Sequence, residues 1–267
     1  MTVADSDQAV SAPNVPPTVR TPLTFARLGA EAVGTAVLVV AGVGTGVLSF
    51  SMPGGEGLDS GVGILGVAFA VGFSIVAGVL VFGPISGAHF NPAVTVGIAV
   101  AGEAPWRTVP AYLAAQLIGG VAGVSLIAFI LGQAPGRFDA AVAAGFSANG
   151  YGDQSSLGVG VVGVFVVEVL FTALLVMVVL IARTRGTMFA AVAIGLTVVL
   201  CCIVTIPVDN TSLNPARSFA AALFAPSTAM EQVWLFFAAP VVGAVLAGVG
   251  YRLMRRARTQ LERVSRS

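Results

Sequence analysis

The sequence predicts an all-α membrane protein with six transmembrane helices and two re-entrant half-helices, arranged as two inverted repeats. Composition is the first reason. Only 9% of the 267 residues are charged, 57% are apolar and mean hydropathy is +0.96, whereas soluble domains carry about 25% charged residues. Most of the surface must therefore face lipid or other apolar helices. The second reason is six apolar runs, each long enough to cross a hydrocarbon layer of ~30 Å. The third is an internal repeat: Pro84-Ile-Ser-Gly-Ala-His-Phe-Asn-Pro-Ala93 aligns with Pro207 to Ala216 at a constant offset of 123, and Ala70 and Gly72 find Ala193 and Gly195 at that offset.

In chain order, residues 1–24 are polar and contain Pro13, Pro16, Pro17 and Pro22. They lack the basic start and apolar core of a signal peptide, and a disordered cytoplasmic tail is expected. The membrane region follows over 25–256, with repeat one at about 25–131 and repeat two at about 157–256. Its runs cover about Leu28 to Phe50, Gly61 to Phe82, Thr108 to Leu131, Leu157 to Ala182, Met188 to Ile206 and Val233 to Met254. Residues 257–267 form a basic cytoplasmic tail. Gly119, Gly120, Gly123, Gly243, Gly248 and Gly250 suit close helix crossings.

The half-helices follow the second and fifth runs. Asn91-Pro92-Ala93 and Asn214-Pro215-Ala216 each read as a helix start, because Asn caps free N–H groups and Pro tolerates the first helical position. From Asn214 to about Phe224 such a helix rises roughly 16 Å, about half the membrane. Two of them entering from opposite faces meet at their positively polarised N-termini near the midplane. Lipid cannot solvate Asp209, Asn210, Thr211, Ser212, Asn214 and Arg217, so this stretch must line something wet.

Six spans place both termini on one side, and 11 of the 13 basic residues fall there, leaving Arg137 in a loop and Arg217 inside the membrane. The positive-inside rule makes that side cytoplasmic, in a cell (inner or plasma) membrane. Three spans per repeat invert the second copy. Spans one and four each carry a buried carboxylate, Glu31 and Glu168, within similar segments (Ala30 to Thr35 and Val167 to Thr172). Because a carboxylate at membrane depth costs about 2.5–3.5 kcal/mol, each is read as a brace accepting N–H groups from its own re-entrant loop. A proton-relay or ion-binding role is the alternative.

The net charge of +1 gives no basis for nucleic-acid binding. Cys201 and Cys202 adjoin within an apolar run, and the chain has one histidine, His89. Neither pattern supplies a metal-ligand set, a nucleophile with its base, or a disulfide framework, so no enzyme, metal or cofactor is expected.

With its two Asn-Pro-Ala boxes, Ser86-Gly87-Ala88-His89-Phe90 before the first, Arg217 after the second and a Glu in spans one and four, the chain resembles the aquaporin, or major intrinsic protein, family from about Arg27 to Arg256. The resemblance implies a right-handed bundle assembled as a homotetramer, with one pore per subunit for water and small neutral solutes. It implies that Asn91 and Asn214 donate to the passing molecule, and that the carbonyls of Gly87, Ala88, His89, Asn210, Thr211 and Ser212 form a polar strip. Counting as in the family, the selectivity filter is Val71, Cys202, Thr211 and Arg217. Water-selective bacterial relatives have Phe, His, Thr and Arg there, and glycerol-conducting ones Trp, Gly, Phe and Arg, so this filter matches neither. Ser218, Ala222 and the pair Phe236–Phe237 are nearer the water branch. A passive channel for water and small uncharged solutes, excluding protons and ions, is expected; the alternatives are a glycerol, urea or metalloid-acid facilitator and, more remotely, a secondary transporter.

Overall fold

The computed structural model describes residues 24–50 and 62–265, and every regular element among them is helical. The polar tail expected before Thr24 lies outside them. Six helices are long and apolar enough to cross a membrane: α1 (Phe25–Ser49), α2 (Gly63–Ser86), α4 (Trp106–Gly132), α6 (Val161–Arg185), α7 (Thr187–Asp209) and α9 (Ser227–Glu262). Between them lie the half-helices α3 (Pro92–Val100) and α8 (Pro215–Ala222) and a short helix α5 (Arg137–Ala143).

Backbone chemistry sets the boundaries that matter for the site. α2 and α7 each carry a proline in their last turn, Pro84 and Pro207, and each stops on a left-handed residue, Gly87 at φ 90° and Asn210 at φ 63°. The chain then turns back into the bundle. Asn91 Oδ1 accepts the N–H of Ala93 at 2.8 Å, and Asn214 Oδ1 accepts that of Ala216 at 3.0 Å, so each half-helix starts on its Asn cap with proline next. α1 contains a π-helical turn at Val40–Gly44.

The repeats join where α2 crosses α7. A Cβ on Gly72 would stand 2.8 Å from the Gly195 carbonyl oxygen, and one on Gly195 would stand 2.8 Å from that of Gly72. Only glycine at both positions lets these backbones approach so closely. The lateral crossings use the same device: Gly119 of α4 faces the Ala32 carbonyl, and Gly243 of α9 faces that of Val169, with would-be Cβ separations of 2.1 and 2.3 Å.

Several expected boundaries shift. α8 ends at Ala222, rising about 12 Å rather than 16. α7 continues through Pro207 to Asp209, where the Asn210 N–H donates to the Ile206 carbonyl at 3.0 Å and closes the last turn. α6 begins at Val161 rather than Leu157, since the Ser155 hydroxyl takes the N–H groups of Leu157 and Val159 and holds that segment in a turn. The connection from Gly132 to Ser156, read as a loop, contains α5. The last helix continues as far as Val264, so most of the basic segment 257–267 is helical, with an Arg258–Glu262 pair at 3.0 Å on its exposed surface.

Candidate functional site

A narrow cavity of about 70 Å³ lies between the two repeats. Its apolar wall comes from residues at helical spacing: Val71, Ile75 and Val79 on α2, Leu175 and Val179 on α6, and Ile194, Val198, Cys202 and Ile206 on α7, with Leu38 and Gly42 from α1. The other wall is polar and consists of Ala88, His89, Asn91 and the run Asn210 to Asn214, with Arg217. All four expected filter residues, Val71, Cys202, Thr211 and Arg217, line this one cavity.

The polar wall is backbone turned outward. Gly87, Ala88 and Phe90 have φ values of 90°, 50° and 52°, and their counterparts at offset 123, Asn210, Thr211 and Leu213, have 63°, 49° and 51°. Five of these six are not glycine, and left-handed backbone is unfavourable for such residues, so something must hold it. Glu31 Oε1 accepts the His89 N–H at 3.0 Å and Oε2 that of Phe90 at 2.8 Å. Glu168 accepts the N–H groups of Ser212 and Leu213 at 2.9 and 2.8 Å. Both carboxylates are fully buried and neither lines the cavity. Turning the N–H groups toward the glutamates leaves the opposed carbonyls for the lumen.

The two asparagines meet across the repeat boundary. Asn91 Nδ2 donates to the Leu213 carbonyl at 2.6 Å, and Asn214 Nδ2 donates to the Phe90 carbonyl at 2.9 Å. Each amide has two N–H donors, so each retains one for a molecule in the cavity. Pro92, Ala93, Pro215 and Ala216 are buried behind the asparagines; they set the caps and do not touch the lumen. Gly87 likewise lies off the cavity, beside Arg183 and His89. His89 lines it, with Nδ1 3.1 Å from Thr95 Oγ1 and its ring against Tyr112.

Arg217 is 7% exposed and points into the cavity end bordered by the segment before α6. Its Nη1 donates to the Ser147 carbonyl at 2.8 Å and to Asn149 Oδ1 at 2.7 Å, and its Nη2 to the Asn210 carbonyl at 3.3 Å. Guanidinium has five donors, so two remain beyond these three bonds. Thr211 Oγ1 pairs with Thr205 Oγ1 at 2.6 Å. Sequence reasoning missed Ser147 and Asn149, and the sole hint was a polar Asn149-Gly150 turn inside a long connection. It also missed Gln116, which donates to Glu31 Oε2 and to Thr95 at 2.8 and 2.9 Å.

No group of three or more His, Cys, Asp or Glu side chains is placed to hold a metal among the described residues. Cys202 lines the cavity, whereas the neighbouring Cys201 is fully buried away from it.

The family model for major intrinsic proteins matches residues 19–251. Aquaporin Z of Rhodopseudomonas palustris is 42% identical over 228 residues, covering 84% of this chain and 91% of that protein. Among solved structures, the aquaglyceroporin from Plasmodium falciparum superposes with a TM-score of 0.72 over 85% of this chain and 94% of its own, at 22% identity, a likeness of fold.

Proposed function

The chain belongs to the major intrinsic protein family, and from that premise we propose that the cavity is a passive, bidirectional pore for water that excludes protons and ions. Carrying this reading is the meeting of two half-helix N-termini, each presenting one free asparagine N–H to the lumen. A water molecule that accepts from both asparagines has its own hydrogens turned toward the two exits, so it cannot relay a proton. The positive ends of both half-helices and Arg217 repel cations at the same place.

Val71, Cys202, Thr211 and Arg217 are the proposed filter. Two of its sides are apolar, and the Thr211 hydroxyl is already paired with Thr205, which leaves Arg217 and backbone carbonyls as the polar contacts. Such a lining accommodates small uncharged solutes with one polar edge, in the class of glycerol, urea, hydrogen peroxide and undissociated metalloid acids. Among the described residues no carboxylate lines the cavity, which disfavours an ion-coupled transporter. The protein is a channel and not an enzyme, and its functional form is proposed to be a homotetramer in the cell membrane with both termini cytoplasmic.

Stopped-flow shrinkage of reconstituted vesicles tests the water reading. Permeability no higher than in empty vesicles, or faster collapse of an imposed pH gradient, overturns it. A solute panel comparing wild type with Val71→Phe/Cys202→His tests the filter, and equal solute uptake by both overturns that assignment.

A further inference from the structure

The two re-entrant loops match position for position except where each meets its glutamate. In repeat one, the Ser86 hydroxyl does two jobs: its oxygen accepts the Ala88 N–H at 3.1 Å and its proton goes to Glu31 Oε1 at 2.6 Å. At offset 123 the corresponding residue is Asp209. Its Oδ1 accepts the Thr211 N–H at 2.9 Å, the same first job. An ionised carboxyl cannot do the second. Asp209 is 1% exposed and its Oδ2 is buried without a hydrogen-bond partner, while the fully buried Glu168 accepts the Ser212 and Leu213 N–H groups with its two oxygens, as Glu31 does those of His89 and Phe90 beside Ser86.

We propose that Asp209 and Glu168 share one proton at Asp209 Oδ2, so that a carboxylic acid–carboxylate hydrogen bond performs in repeat two what the serine hydroxyl performs in repeat one. No bond beyond this hydrogen bond forms or breaks. Charge supports the assignment. Arg217, bonded to the carbonyl of Asn210 next in the chain, is the nearby cation, and with one proton retained Glu168, Asp209 and Arg217 sum to zero, whereas two ionised carboxylates in a dry site would repel one another. Neutral Cys201 and Cys202, the other titratable groups around Glu168, leave that sum unchanged. Asp209 is thereby a positioning residue: through the Thr211 N–H it sets the left-handed turn that presents the filter. This deepens the filter reading above.

Infrared spectra of the full chain in vesicles at pH 7 provide a test independent of flux, since exposed carboxyls are ionised there. The carbonyl stretch of a protonated carboxylic acid is expected in wild type and is expected to vanish in Asp209→Thr and in Asp209→Asn. Its absence from wild type, or its persistence in both variants, overturns the shared proton. Water flux then tests positioning: Asp209→Leu, which leaves the Thr211 N–H without an acceptor, is expected to lose flux several-fold, and Asp209→Asn, which restores both an acceptor and a donor, to regain it. Equal flux in wild type and Asp209→Leu overturns the positioning role. Should wild type itself conduct no water, the channel reading fails while the infrared result still decides the proton.

Discussion

Replacing Glu31 separates the brace from a proton relay. Its carboxylate accepts four donors: Ser86 Oγ and the His89 N–H on Oε1, the Phe90 N–H and Gln116 Nε2 on Oε2, at 2.6 to 3.0 Å. At about 1.5–3 kcal/mol for a hydrogen bond to a charged group, these outweigh the several kcal/mol that burying the charge costs. In Glu31→Ala, Gln116 keeps Thr95 as a partner, while two buried backbone N–H groups are orphaned. Each costs about 1–3 kcal/mol, so ~2–6 kcal/mol is lost in total. For a chain of this size 1 kcal/mol moves the melting temperature by roughly 2–4 °C, and a fall of at least about 4 °C is expected in detergent. Glu31→Gln should lie between: its oxygen can serve Phe90 and Gln116, and Ser86 can accept from its amide, so only the His89 N–H is stranded. Thermal melting followed by size-exclusion chromatography ranks the three proteins, and vesicle water flux should follow the same order. Wild-type melting in Glu31→Ala refutes the brace, and a change in proton leak in Glu31→Gln without loss of stability would favour the relay.

Three further outcomes are expected. Mercuric ion, a soft metal that prefers thiolate, should block water flux in wild type and in Cys201→Ser but not in Cys202→Ser; the reverse pattern would misplace the α7 face on which the filter depends. Gly42, in the π-turn, lies where a Cβ would come 3.1 Å from Val71 Cγ2, so Gly42→Ala should crowd the filter and reduce glycerol uptake relative to water, about tenfold if a strain of ~1.4 kcal/mol falls on the larger solute alone. An unchanged ratio would mean that Val71 yields freely. Asn149→Ala removes the acceptor shared by Arg217 and Ser218 and should lower stability by about 1.5–3 kcal/mol, read from thermal melting; no change would show that the Ser147 and Asn210 carbonyls suffice.

What was legible in the sequence is what depends on nearby residues. Hydropathy marks spans because lipid is a uniform solvent, and an Asn-Pro step marks a helix start because the cap lies within three residues of the N–H it serves. The offset of 123 carried the relation between halves. Asn149 was hidden because its partner Arg217 lies 68 residues away and no periodicity governs an irregular connection. The π-turn at Val40–Gly44 was hidden too, because one extra residue in a helical turn leaves an apolar run apolar. The extension of α9 through Val264 escaped a reading by hydropathy, since its charged last turns leave the membrane without leaving the helix.

The repeat also bears on the proposal that selection is made at one end of the pore. Offset 123 relates Asn91 to Asn214, and it relates the His89–Thr95 pair to Ser212–Ser218, joined at 3.1 and 2.5 Å respectively. Symmetric backbone therefore places equal donors at the middle, where a passing molecule meets the same chemistry from either direction. The same offset relates Arg217 to Val94, and both line the cavity. A guanidinium thus stands at one end and an isopropyl group at the other, on half-helices of the same cap and hand. Midpoint polarity follows from the fold shared by both repeats, whereas charge and aperture follow from side chains that only one repeat carries. Substitutions at Asn91 or Asn214 should then alter passage of every permeant, while those at Val71, Cys202 or Arg217 should alter the ratio between permeants; a change at Val94 that shifted the ratio as strongly as one at Arg217 would refute this division.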